Sequence, residues 1–173
     1  VVVPLDEDAV RRAAEALRAA GAEALVIHFI HSYVNDRHEK RAREIAAAVW
    51  PNAYITVGAE LLPEYREYER GTTAAINGYL QPIIDRYLRT LAGELRREGC
   101  ARELLVMQGN GGTMSVDVAA RHAVNTLMSG PAAGVKAAAH TALAAGYRDV
   151  ISCDMGGTSF DVGVIRDGVP TVS

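Results

Sequence analysis

Cysteine is nearly missing: Cys100 and Cys153 are the only two in 173 residues. Two thiols so far apart build neither a disulfide framework nor a zinc cluster. They point to a reducing, cytoplasmic compartment in which both stay free. An excess of positive charge is missing too, since 18 Lys+Arg against 21 Asp+Glu leave −3. That balance excludes a chain working by blanket attraction to nucleic acid or an anionic membrane, while leaving room for a local anion site. No apolar run approaches the roughly 20 residues of a membrane span, and no cationic-apolar-small leader opens the chain. Repeats, low-complexity tracts and long linkers are absent. Lysine is scarce: among the basic residues only Lys40 and Lys136 are not arginine, a bias we read as genome composition or heat adaptation. What is present is apolar, 49% of the chain, enough for one compact domain or one and a half small ones. The chain opens on Val1 and closes on Thr171-Val172-Ser173 just past a Gly168-Val169-Pro170 turn, so it reads as cut from something longer.

Helical spacing runs from Glu7 to Ala20 and stops at Gly21. Ala24 to Ile30 is short, apolar and β-branched, a buried strand. Asp36 and Glu39 have the spacing of a capping box that opens a helix to about Trp50. Tyr54 to Val57 is a brief strand. Ile76, Tyr79, Leu80, Ile83, Ile84, Tyr87, Leu88, Leu91 and Leu95 form one broad helical stripe. Pro82 within it predicts a start or a kink, and Gly99 closes it. Leu104 to Gln108 reads as a second buried strand and Val116 to Ala120 as a short helix. Gly130 to Ala145 is an Ala-rich helix opened by Ser129-Gly130-Pro131. Val150 to Asp154 and Phe160 to Ile165 are strands too close in sequence for a parallel crossover, hence an antiparallel hairpin. Alternating helices and strands make the class α/β, with a mixed sheet.

Chemistry concentrates in Asp154-Met155-Gly156-Gly157-Thr158-Ser159-Phe160-Asp161. A hydrophobic strand delivers a carboxylate, and two glycines permit a tight turn. Their N–H groups, with the Thr158 and Ser159 hydroxyls, suit a phosphate. A carboxylate beside phosphate needs a cation between them, so Asp154 suggests Mg²⁺. The commoner reading of a Gly-Gly turn is a plain hairpin. The helix that begins at Ser129 and Gly130 offers unpaired N–H groups to an anion, or is simply a tightly packed core helix. Gln108-Gly109-Asn110-Gly111-Gly112 sits at a strand's carboxyl end, a ligand position or an ordinary turn. His28, His31 and His38 are read as packing and surface residues rather than a metal site. The charged run Glu64 to Arg70 reads as a solvated helix face, with a substrate or partner contact as the lesser alternative. Cys153 reads as core.

In order, these phrases resemble a known family. The small-residue helix followed by Asp154 to Asp161 resembles the second half of the actin-like ATPase fold, whose Asp-x-Gly-Gly-Thr hairpin is a second phosphate loop. Within that superfamily the wording is closest to the hydantoinase A / 5-oxoprolinase family, which includes acetone carboxylase subunits. The phrases are Leu61 to Arg70, Val106 to Gly112, Leu127 to Val135 and Asp154 to Asp161, with His31-Ser32-Tyr33, Asn35 and His38-Glu39. Two positions depart from the family wording: Gly109 where Ser is usual, and Phe160 where Thr is common.

The resemblance implies a mixed-sheet, ribonuclease H-like fold incomplete at both ends. Residues 1–72 would end an N-terminal region. Residues 73–173 would start the catalytic region, with a connecting helix 130–146 and a phosphate hairpin 150–166. It implies ATP and Mg²⁺ as cofactors, with Asp154 holding the metal and Asp154 and Asp161 catalytic. Gly156, Gly157, Thr158, Ser159, Asn110, Gly111, Gly112, Ser129 and Gly130 would bind phosphate. It further implies ring opening of a small cyclic amide of hydantoin or 5-oxoproline type, a B-type hydantoinase subunit as partner, and room for a homo-oligomer. The alternatives are a subunit of an ATP-dependent acetone-type carboxylase and a non-catalytic, nucleotide-responsive module.

Overall fold

The computed structural model describes residues 3–171. The expected open ends at Val1 and Ser173 lie outside the described residues. Two units separate by their internal contacts. One holds the chain up to Arg102 with Val116–Val124; the other holds Glu103–Ser115 and the chain from Asn125 onward.

In the first unit, helix α1 (Glu7–Ala19) starts at Asp6, whose carboxylate accepts the Ala9 N–H at 2.9 Å. Gly21 follows at φ 85°, the left-handed stop expected of glycine. Strands β1 (Leu25–Ile27) and β2 (Ile55–Val57) pair in parallel, Leu25 opposite Ile55, with α2 (Arg37–Ala47) in the crossover between them. Leu25 and Ile27 point into a core with Ala14, Ala42, Ala46 and Trp50. A four-residue helix α3 (Gly58–Leu61) leads to the long α4 (Glu67–Arg97), against which α5 (Val116–Arg121) packs.

Several expectations change here. Strand β1 stops at Ile27, and Ile30 is exposed in a turn. Helix α2 forms without the expected capping box. Asp36 makes no cap hydrogen bond and pairs instead with Lys40 at 2.7 Å. Glu39 is fully buried, one oxygen accepting the Phe29 N–H at 2.6 Å and the other the Ala59 N–H at 2.8 Å. Helix α4 begins at Glu67 and runs through Pro82. Its buried face carries Arg70, Ala74, Asn77, Gly78, Gln81, Pro82 and Leu88, whereas Tyr79 and Tyr87 of the anticipated stripe are exposed. Polar groups bridge that interior: Asn77 donates to Thr56 Oγ1 at 2.9 Å and to the Arg121 carbonyl at 3.0 Å, and accepts the Val124 N–H at 3.0 Å.

The run Glu64 to Arg70 is only partly solvated. Tyr65 and Tyr68 face water, but Arg70 is wholly buried, donating to the Phe29 carbonyl at 2.7 Å and to Glu67. Glu67 accepts the His31 N–H, and this bond, with Arg70, holds its carboxyl below the usual range. The His28 ring lies in a slot between Gly58 and Gly71, where an added Cβ would stand 2.9 and 3.2 Å from it.

In the second unit, β3 (Leu105–Met107) and β4 (Thr113–Ser115) pair antiparallel around the 108–112 loop. Leu105 is exposed, so β3 is not the buried strand expected. Helix α6 (Ser129–Ala144) packs on β5 (Val150–Met155) and β6 (Phe160–Arg166), an antiparallel hairpin extended by β7 (Val169–Pro170). Ser152, Asp154, Asp161, Gly163 and Ile165 share one face of the hairpin. Ile151, Cys153, Met155, Phe160, Val162 and Val164 share the other, which is exposed. Cys153 is therefore a surface thiol, not a core one. The α/β class holds, but the strands of the described residues form three small sheets, one parallel and two antiparallel, in place of one mixed sheet. Among the described residues no helix is long and apolar enough to cross a membrane.

Candidate functional site

The hairpin register sets Asp154 directly opposite Asp161. Opposed residues on an antiparallel ladder project from the same face, their Cβ atoms about 5 Å apart, where like charges repel. No described residue forms an ion pair with either carboxylate. The donor set therefore fits a hard cation such as Mg²⁺, which takes one or two carboxylates and fills its remaining positions with water and phosphate oxygens. It does not amount to an all-protein cage, for no group of three or more His, Cys, Asp or Glu among the described residues could hold a metal. Gly156 N–H closes the turn on the Ser159 carbonyl at 2.9 Å. Gly157 has no atom within 4 Å of where a Cβ would stand, so its backbone is open to an incoming group.

Helix α6 lies against the carboxylate face by virtue of its small residues. A Cβ on Gly134 would stand 3.8 Å from Asp154 Oδ2, in ordinary contact. Val135 packs so tightly on β6 that a Cβ on Gly163 would come within 2.4 Å of it. The helix starts after Met128, which adopts φ 58° and provides no side-chain cap. Its first backbone bond is Ala132 N–H to the Met128 carbonyl, at 3.2 Å. Ser129 and Gly130 thus open the helix with N–H groups that no intrahelical carbonyl can accept.

The 108–112 loop is built around Asn110, whose Oδ1 accepts the Gly112 N–H at 2.8 Å. Gly109 N–H reaches the Asn125 carbonyl at 2.8 Å. The departure at Gly109 has a local cause: a Cβ there would meet the Leu127 carbonyl oxygen at 2.3 Å. A serine hydroxyl is therefore replaced by close backbone packing.

A cavity of about 400 Å³ joins these parts. Asn110 and Gly111 of the loop, Pro131 and Val135 of α6, and Asp161 of the hairpin line it. Of the anticipated site residues it brings Asn110, Gly111 and Asp161 together. Asp154 lies beside α6 at Gly134, while Gly112, Ser129, Gly130 and the turn 156–159 are not among its lining. Lys136 lines it as well. From the sequence Lys136 registers only as one of two lysines in an arginine-rich chain.

The Hydantoinase/oxoprolinase profile matches residues 70–173, and the N-terminal region profile of the same family matches residues 1–50. A protein of unassigned function from Methanocaldococcus jannaschii is 36% identical over 100% of this chain and 25% of its own length. Caprolactamase subunit alpha of Pseudomonas jessenii is 36% identical over 95% of this chain and 24% of its own. The crystal structure of the ATP-dependent caprolactamase from that organism superimposes with TM-score 0.84 over 93% of this chain and 23% of that one, at 36% identity. Nucleotide-free acetone carboxylase superimposes with TM-score 0.80 at 35% identity, over 96% of this chain and 24% of that one. The chain thus spans about a quarter of the length of these relatives. With the family profile matched from Arg70 onward, the chain belongs to the Hydantoinase/oxoprolinase family.

Proposed function

We propose that these residues are an internal part of an ATP-dependent hydrolase that opens a small cyclic amide, on an actin-like ATPase scaffold. The observation carrying this reading is the Asp154–Asp161 rung, facing a small-residue helix in a chain of this family. The match to an ATP-dependent caprolactamase supports the substrate class. A boundary near 72/73 is part of this reading, close to residue 70 where the second profile begins, though α4 (Glu67–Arg97) runs through it unbroken.

In this reading the amide carbonyl oxygen attacks the γ-phosphorus of ATP. The O–P bond forms as the bond to ADP breaks, its electron pair leaving with ADP. Water then adds to the activated carbon, the ring C–N bond breaks with its electron pair and a proton going to the nitrogen, and a second water hydrolyses the resulting acyl phosphate to carboxylate and phosphate. Such transfer rests on positioning and charge neutralisation more than on a reactive side chain. Gly156 and Gly157 N–H groups and the Thr158 and Ser159 hydroxyls hold phosphate oxygens. Ser129 and Gly130 add the N–H groups of the α6 start, and Asn110 to Gly112 close the other wall. Asp154 holds Mg²⁺, which supplies charge neutralisation on the phosphoryl oxygens. Asp161 polarises water or braces the hairpin. A B-type partner subunit is part of the reading, supported by the alpha-subunit name of the caprolactamase relative. So are a cytoplasmic setting, in keeping with two exposed, unpaired thiols, and room for a homo-oligomer.

The test is Asp154→Asn in the full-length protein. It keeps the size and removes the charge, and should lower ATP-coupled ring opening at least ~10²-fold, the scale of one preorganised electrostatic contact. Circular dichroism should be unchanged. Near-normal turnover would make the hairpin structural. A ketone carboxylase is the second reading, favoured by the acetone carboxylase superposition. It predicts ATP use that depends on bicarbonate and a ketone. ATP binding without either coupling would leave a nucleotide-responsive module.

A further inference from the structure

No further inference is drawn: the strongest candidate, the turn after β1 that Glu39, Glu67 and Arg70 clamp through the Phe29 and His31 backbone and that carries the exposed Ile30 and Val34, is an unpartnered apolar patch, and nothing in the structure shows what covers it.

Discussion

Removing the Glu39 side chain should be the most damaging single truncation in the first unit. Its two oxygens accept the Phe29 and Ala59 N–H groups at 2.6 and 2.8 Å, and Arg70 Nη1 stands 3.9 Å away. Both Glu39 and Arg70 have 0% side-chain exposure, so water cannot replace what is lost. Glu39→Ala orphans two backbone donors, each at about 1–3 kcal/mol, and leaves Arg70 with Glu67 as its one carboxylate. Losing one partner of a buried pair costs about 3–5 kcal/mol. These terms overlap, so about 3–5 kcal/mol is expected for the whole change. Glu39→Gln keeps one acceptor but turns an NH₂ against the second N–H, and should cost about 1–3 kcal/mol. At the low end of a typical domain stability of about 5–15 kcal/mol, the alanine loss would leave only about 0–2 kcal/mol, and anywhere in the range it should lower the urea midpoint markedly. Trp50 is the sole tryptophan and sits in the core packed by α2, so its fluorescence in urea reports this unit. A Glu39→Ala midpoint shift worth less than about 1 kcal/mol, the size of an ordinary substitution, would refute the clamp.

Three further outcomes follow from particular contacts. Burial, aided by Arg121, pushes the His122 imidazole below its ordinary 6.5, with Glu60 opposing. The unfolded chain then takes up the proton first, so the stability due to neutral His122 is full above 6.5 and is lost as pH falls through the folded value. His122→Gln should flatten the urea midpoint between about pH 7 and 5, and an unchanged slope would count against the burial argument. Gly109→Ser places a Cβ 2.3 Å from the Leu127 carbonyl oxygen and should cost about 1–3 kcal/mol in chemical denaturation; a neutral result would mean the 127–128 turn yields freely. Phe160→Thr, at an exposed position, should leave ring opening within about three-fold, far below a lost electrostatic contact.

Helices were legible wherever glycine or spacing punctuated them: Gly21 and Gly99 close α1 and α4 at positive φ. The hairpin and its Asp154–Asp161 rung were legible because the short connection allows one pairing only. Glu39 was misread because its local spacing from Asp36 fits a cap, while its true partners lie 10 and 20 residues away. The buried face of α4 was misread for a related reason. Asn77 and Gln81 are satisfied by groups on β2 and near α5, and Gly78 lets Val26 pack where a Cβ would sit 2.6 Å from it. Hydrophobic periodicity cannot register polar residues whose hydrogen bonds are supplied from afar. Cys153 was placed inside by its apolar strand, yet alternation along β5 puts it on the face opposite α6.

The hairpin's outer face has a colloidal consequence. Ile151, Met155 and Phe160 are 68%, 78% and 54% exposed, and Val162 and Val164 stand beside them. A continuous oily ladder of this kind is the usual seed of self-association. Produced alone, the 173-residue chain will behave as a sticky particle whose solubility falls with concentration and with sulfate or phosphate salts, which strengthen apolar burial. Gentle, chloride-based buffers and dilute handling are what this surface demands at the bench.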